Sequence, residues 1–213
     1  MLDQAKGIIF DVDGTLWDVS ALVAEGWNIA LQRQPGVTRR VTVQEIRGMM
    51  GKTMTDIFDL IMPGRDKAFQ EHVSEECEKA WNRLLQERGA KLYPEEEQTL
   101  EALSRVSRLF IVSNCRCGYI EKLLGFSHFD RFFEDSECFG RTGRPKRDNI
   151  RLLVERNHLQ KAVYVGDTHL DYESARDAGV LFIHAAYGYG KVPEAKYAVQ
   201  TFSELTSAVP QLL

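Results

Sequence analysis

The sequence predicts an α/β fold: a doubly wound, Rossmann-like parallel sheet core with an inserted all-helical cap domain. Short apolar runs such as Gly7–Phe10 and Leu109–Val112 are typical of fully buried strands. The residues from about Trp17 to Lys91, by contrast, show only helical patterns. We therefore expect residues 1–16 and 92–213 to form the catalytic core and residues 17–91 to form the cap.

The predicted cap begins with a helix from Ser20 that ends before Pro35 and Gly36. Thr42 and Thr53 each stand three residues before an acid, which is capping-box spacing and predicts two short helices. A long helix follows, because apolar residues recur at helical spacing at Phe69, Val73, Cys77, Ala80, Trp81, Leu84 and Leu85.

After the cap, strand patterns alternate with helical ones. Strands are predicted at residues 109–112, 162–165 and 181–183, and helices at about 149–157 and 170–178. This alternation indicates a parallel sheet whose strands are joined by right-handed crossovers.

The composition of the chain argues against several classes of function. The chain has 213 residues, 44% of them hydrophobic, with a formal net charge of −4, which argues against nucleic acid as a partner. No run is long and apolar enough to cross a membrane, and no basic-then-apolar leader opens the sequence. The four cysteines show no zinc spacing, so we expect reduced thiols and a cytoplasmic location. The predicted cap leaves no obvious apolar interface, so we expect a monomer or weak homodimer.

The segment that follows the first predicted strand contains several candidate catalytic and binding residues. Asp11 and Asp13 stand two residues apart where the strand ends, so their side chains point the same way. Gly14 allows a sharp turn, and Thr15 adds a hydroxyl and an N–H for a substrate. Two convergent carboxylates can hold a divalent cation or act as nucleophile and general acid/base, although an acidic turn alone has the same pattern.

Three further segments carry polar residues where parallel strands end or a helix begins. Ser113 and Asn114 follow one strand, and Asp167 follows another, with Asp171 four residues on. Lys146 lies in a basic turn before a predicted helix. In a doubly wound sheet these ends share one crevice, where carboxylates suit Mg²⁺ and a lysine suits phosphate oxygens. Such a site favours phosphoryl transfer.

These four segments, in this order, resemble the four motifs of the haloacid dehalogenase-like hydrolase superfamily. The insertion after Asp-Val-Asp-Gly-Thr-Leu resembles the helical cap of the phosphoglycolate phosphatase and β-phosphoglucomutase branch. The resemblance implies that Asp11 attacks phosphorus to form an aspartyl-phosphate, and that Asp13 is the general acid and base. It further implies that Ser113 and Asn114 bind the transferring phosphoryl and that Lys146 stabilises its charge.

The same resemblance implies a Mg²⁺ site. Asp11, the backbone carbonyl of Asp13, and Asp167 would bind the ion, and Asp171 would support them or reach the ion through water. The second aspartate of the first motif, Asp13, also excludes the dehalogenase branch, because a leaving halide needs no proton. The expected substrate is therefore a phosphate ester or anhydride.

The cap segment Arg47–Thr53 corresponds, by the same resemblance, to a loop that faces the active site. Arg47 or Lys52 could there bind a second anionic group of the substrate. The alternative is a solvated basic turn in which Thr53 caps the next helix.

The sequence therefore predicts a Mg²⁺-dependent phosphatase acting on a small phosphorylated metabolite, such as phosphoglycolate, a sugar phosphate or a nucleotide. One alternative is a phosphomutase of the β-phosphoglucomutase type, which shares the nucleophile and the fold. Another is a non-catalytic protein that binds a phosphorylated ligand, although the presence of both Asp11 and Asp13 argues against it.

Overall fold

The computed structural model describes residues 5–213 of the chain. Its strands are, in chain order, β1 (Lys6–Phe10), β2 (Trp17–Asp18), β3 (Lys91–Leu92), β4 (Arg108–Ser113), β5 (Phe133–Cys138), β6 (Lys161–Gly166), β7 (Leu181–Ala185) and β8 (Ala198–Val199). Its α-helices are α1 (Ser20–Gln32), α2 (Val43–Met49), α3 (Met54–Ile61), α4 (Lys67–Arg88), α5 (Glu96–Ser104), α6 (Tyr119–Ser127), α7 (Phe139–Thr142), α8 (Lys146–Arg156), α9 (His169–Ala178) and α10 (Leu205–Ala208).

The main sheet has the strand order β5-β4-β1-β6-β7-β8, and every neighbouring pair is parallel. Strand β1 lies between β4 and β6, so its apolar residues Ile8, Ile9 and Phe10 are covered on both faces and have no exposed surface. One face packs against α8 and α9 through Ile150, Leu153 and Ala175. The other packs against α5, α6 and α10 through Leu100, Leu123 and Leu205. The predicted doubly wound sheet is confirmed.

The segment between β2 and β3 forms the four helices α1 to α4. Helices α1 and α4 pack closely, because a Cβ on Gly26 would lie 2.5 Å from the Cα of Trp81. Thr42 and Thr53 cap α2 and α3 as their spacing predicts, each accepting a hydrogen bond from the backbone N–H three residues on. That residues 17–91 act as a separate cap domain stays a prediction.

The two ends of this segment are strands rather than helices. Trp17 pairs with Leu92 and Asp18 with Lys91 in a short antiparallel ribbon. The chain passes here twice, side by side, between the sheet and the helical segment. Pairing satisfies the backbone N–H and C=O groups of both passages, which a helical pattern alone does not reveal.

Strand β5 was not predicted from the sequence, because Phe133–Cys138 is largely polar. It lies at the edge of the sheet, where only β4 pairs with it. Arg156 of α8 forms ion pairs with Asp135 and Glu137 of this strand at 2.9 and 3.0 Å. No helix among residues 5–213 is long and apolar enough to cross a membrane.

Candidate active site

The carboxyl ends of the three central strands bring the predicted site residues together. Asp11 directly follows β1, Ser113 ends β4 and Asp167 directly follows β6. Because β4 and β6 flank β1 in parallel, these three residues lie at one edge of the sheet. Lys146, the first residue of α8, is buried at the same edge.

Lys146 bridges two carboxylates. Its Nζ donates to Oδ1 of Asp11 at 2.7 Å and to Oδ1 of Asp171 at 2.6 Å, and all three side chains are almost fully buried. Burial raises the pKa of Asp11 to about 7 even though Lys146 lowers it. Burial lowers the pKa of Lys146, but the two carboxylates outweigh it and hold that pKa well above its usual value.

Asp13 is held by two aromatic side chains. Its Oδ1 accepts from the indole Nε1 of Trp17 at 2.9 Å and from the hydroxyl of Tyr119 at 2.5 Å. Burial raises the pKa of Asp13, while the hydrogen bonds from Tyr119 and Trp17 lower it. The orientation of this carboxylate is therefore determined by residues outside the first strand.

Asp167 has one oxygen bound and one free of protein partners. Its Oδ2 accepts from the backbone N–H of Tyr189 at 2.7 Å, whereas its buried Oδ1 has no hydrogen-bond partner among the described residues. Gly14 and Gly188 close around it: a Cβ on Gly14 would lie 2.3 Å from Oδ2, and one on Gly188 would lie 2.4 Å from Cβ of Asp167. Only glycines leave room for this approach.

Asp171 belongs to the start of α9, where it forms a capping box with Thr168. Its Oδ2 accepts from the Thr168 N–H at 3.0 Å and hydroxyl at 2.6 Å. Its Oδ1 accepts from Lys146 and, at 3.4 Å, from Tyr164. Because protein donors use both oxygens, the geometry favours a supporting role for this residue.

The carboxylates of Asp11, Asp167 and Asp171 fit a magnesium site. One oxygen from each lies within 4.8 Å of the others. When ionised, the three carboxylates carry three negative charges, and Lys146 neutralises one of them. The remaining two negative charges are buried, where unbalanced charge is costly. The unpartnered Oδ1 of Asp167 and the all-oxygen donor set suit a hard divalent cation. The side chain of Asp13 lies outside this group, so its predicted contribution through the backbone carbonyl stays a prediction.

Ser113 and Asn114 line the cleft between the sheet edge and the helical segment, together with Asp11 and Asp13. Asn114 donates from Nδ2 to the backbone carbonyl of Gly51 at 2.7 Å, which ties the sheet edge to the segment between α2 and α3. Thr15 is fully buried, and its hydroxyl has no partner among the described residues. Its role in substrate binding stays a prediction.

The two predicted cap cations lie in different surroundings. Arg47 pairs with Asp18 at 3.0 Å, donates to Ser20 and stacks over Tyr189. Its guanidinium is therefore already bound by other residues of the protein. Lys52 lines the cleft. Of the two, Lys52 is therefore better placed to meet a substrate.

Sequence reasoning missed several residues that orient the site: Trp17, Tyr119, Tyr164, Thr168 and Tyr189. The spacing of Thr168 and Asp171 is that of a capping box and could have indicated their pairing. For Tyr119 no local signal exists, because 106 residues separate it from Asp13.

The fold and the site define an α/β enzyme with a carboxylate-rich active site at the carboxyl edge of a parallel sheet. The chain belongs to the haloacid dehalogenase-like hydrolase family, whose family model matches residues 8–185. The predicted enzyme class, a phosphatase of this family, is confirmed.

Curated relatives and solved structures are also similar to this chain. The phosphoglycolate phosphatase of Aquifex aeolicus (strain VF5) is 28% identical over 198 residues, covering 87% of this chain and 86% of its own. A predicted phosphoglycolate phosphatase from Haemophilus somnus 129pt superposes with a TM-score of 0.83 at 20% identity, covering 98% of this chain and 100% of its own. CbbY from Rhodobacter sphaeroides, solved in complex with phosphate, has a TM-score of 0.79 at 20% identity, covering 93% and 95%. At these identities the two structures support the fold.

Proposed function

We propose that this protein is a Mg²⁺-dependent phosphatase that hydrolyses a small phosphorylated metabolite through an aspartyl-phosphate on Asp11. The observation that carries the proposal is the pairing of two differently held carboxylates at the end of β1. Asp11 is in contact with Lys146, and Asp13 is held by Tyr119 and Trp17. Two carboxylates in different environments suit separate roles as nucleophile and proton carrier.

In the first step, a carboxylate oxygen of Asp11 forms a bond to phosphorus while the bond from phosphorus to the leaving oxygen breaks. Asp13, protonated, transfers its proton to that leaving oxygen. In the second step, Asp13 accepts a proton from a water molecule, whose oxygen bonds to phosphorus as the bond to Asp11 breaks. Lys146 stabilises the negative charge on Asp11 and on the phosphoryl oxygens.

The carboxylates of Asp11 and Asp167 would hold Mg²⁺, with Asp171 positioning Lys146 beside them. When bound, the ion supplies neutralising charge for the phosphoryl oxygens and for the buried carboxylates. Ser113 and Asn114, at the end of β4, are available to hydrogen-bond the phosphoryl group.

The names of the relatives support a small phosphorylated substrate. Several curated relatives, from Aquifex aeolicus and Cereibacter sphaeroides, are phosphoglycolate phosphatases, so phosphoglycolate belongs among the compounds to be tested. Sugar phosphates and nucleotides belong there too.

The test is phosphate release from a panel of such compounds, with Mg²⁺ and with a chelator. We expect stoichiometric phosphate release from at least one monophosphate, dependent on Mg²⁺. The variant Asp11→Asn should lose activity by about 1000-fold or more while remaining folded, since its amide cannot attack phosphorus. Full activity of that variant, or phosphate release that is unchanged by the chelator, would contradict the proposal.

A further inference from the structure

The cleft above Asp11 and Asp13 has an apolar lining on the side of the helical segment. The space between its lining side chains is about 750 Å³, a volume that includes the open solvent at its mouth. All four helices α1 to α4 contribute apolar side chains, among them Val23, Trp27, Ile46, Met49, Ile57 and Trp81. Such a surface stabilises an apolar group and penalises a charged one that finds no partner.

Two cationic residues line the cleft, Arg116 and Lys52, and the protein neutralises one of them. Arg116 pairs with Glu71 at 2.8 Å and with Glu78 at 3.6 Å, and Glu78 also pairs with Lys122 at 2.9 Å. Lys52 is the one cationic lining residue without an ion pair in the described part of the chain. A second anion on the substrate would therefore find one unpaired cation, Lys52, in a lining that is otherwise mostly apolar.

Two of the residues that line the cleft, Trp27 and Asn114, each carry a polar atom without a hydrogen-bond partner among the described residues. The buried indole N–H of Trp27, a lining residue, has no acceptor among the described residues. Because this N–H has almost no exposed surface, a ligand oxygen can accept from it only after a neighbouring side chain shifts.

We propose that the cleft binds an uncharged, largely apolar organic group, so that the substrate is the phosphate monoester of an aromatic or branched aliphatic alcohol. This inference rests on the proposed phosphatase function. It differs from the carboxylate-bearing substrate for which the curated relatives are named. Met49, Met50 and Met54, which also line the cleft, are side chains that adapt to irregular apolar groups.

The experiment compares kcat/KM for 2-phenylethyl phosphate and 2-phosphoglycolate, using the full chain with Mg²⁺. Both have an alkyl leaving oxygen, so their intrinsic reactivities are similar and the organic group decides the difference. We expect 2-phenylethyl phosphate to be preferred by about tenfold or more. Equal values or a preference for 2-phosphoglycolate would overturn the inference.

A pair of charge variants sharpens the comparison. Met49→Lys adds a cation inside the cleft and should reduce the preference for the apolar ester by about tenfold. Leu60→Lys adds the same charge on the exposed face of α3, where Leu60 is 57% exposed, and should leave the preference unchanged. An unchanged preference in Met49→Lys would contradict the inference.

Hydrolysis of p-nitrophenyl phosphate separates the proposal of a phosphatase from the inference about the cleft. Its activated leaving group makes the reaction depend little on binding by the cleft. If this compound is hydrolysed and 2-phosphoglycolate is nevertheless preferred, the inference about the cleft fails and the phosphatase proposal stands. If neither this compound, nor the two esters, nor any compound of the phosphate-release panel is hydrolysed, both proposals fail.

Discussion

The hydroxyl of Tyr119 donates a hydrogen bond of 2.5 Å to Oδ1 of Asp13. The Tyr119 ring contacts Trp17 edge-on, with centroids 5.6 Å apart, and Trp81 of α4 at the same distance. Tyr119 therefore links the carboxylate proposed as proton carrier to the helical segment that covers the cleft. We expect it to act as a positioning residue for Asp13.

Replacing Tyr119 by phenylalanine tests this role. Because the hydrogen bond stabilises the ionised carboxylate, its loss should raise the pKa of Asp13 and lower kcat by about 10- to 100-fold. KM should change much less. The measurement is kcat and KM as functions of pH, where the limb that reports Asp13 should move to higher pH.

The matched control is Tyr197→Phe, which removes a hydroxyl from a loop residue stacked beside Lys196. It should leave both the rate and the pH profile unchanged. A Tyr119→Phe protein with the parent profile would show that Tyr119 is only a packing residue.

Lys146→Met tests the charge bridge between Asp11 and Asp171. The substitution keeps much of the side-chain volume but leaves two buried carboxylates without their cation. We expect a loss of about 3–5 kcal/mol in the free energy of unfolding, together with loss of activity. Urea unfolding at neutral and at acidic pH measures it. The loss should shrink at acidic pH, because burial raises the pKa of Asp11 to about 7 and this carboxylate is then protonated. A variant as stable as the parent at neutral pH would refute the charge bridge.

Gly14→Ala tests the close approach at Asp167. Gly14 has a φ of +86°, and an added Cβ would lie 2.3 Å from Oδ2 of Asp167. We expect a loss of about 1–3 kcal/mol in stability and weaker Mg²⁺ binding, measured by thermal unfolding and by the Mg²⁺ dependence of activity.

Gly48→Ala is the opposite case, because Gly48 lies within α2 and nothing lies within 4 Å of its added Cβ. It should raise stability by about 0.5–1 kcal/mol through helix propensity. A Gly14→Ala protein as stable as the parent would contradict the close approach at Asp167, and a Gly48→Ala protein less stable than the parent would contradict the helix-propensity argument.

Glu96 should make stability depend on pH. It is 2% exposed, one oxygen accepts from the Tyr93 N–H at 2.9 Å, and the other has no partner among the described residues. Burial raises its pKa from 4.5 to about 8. The folded protein therefore holds this proton more tightly, so the stabilisation is complete below pH 4.5 and is lost as the pH rises through about 8.

Glu96→Gln, which resembles the protonated acid, should remove this dependence and be more stable than the parent at pH 9 by about 2 kcal/mol. At pH 5 the two proteins should differ little. Glu101→Gln, an exposed change on the same helix, should leave the slope unchanged. A parent protein whose stability does not fall between pH 5 and pH 9 would refute the prediction.

The strands that carry the site were predictable because buried parallel strands leave a continuous apolar run, as in Gly7–Phe10. The polar residues after them could be placed at one edge because parallel strands end together. Strand β5 was missed because its sequence is polar and it lies at the edge of the sheet. The ribbon of β2 and β3 was missed because each strand has two residues and pairs with a distant one.

The sequence by itself determined the family, the presence of the buried parallel strands that carry the site and the identity of its carboxylates, since these depend on local patterns and spacing. Only the tertiary structure decided which groups hold those carboxylates. Tyr119 reaches Asp13 across 106 residues, and Lys146 reaches Asp11 across 135. The tertiary structure also decided that Arg47 is paired with Asp18 while Lys52 lines the cleft. Hydrogen bonds and ion pairs depend on distances of a few ångströms, which packing sets and sequence spacing does not record.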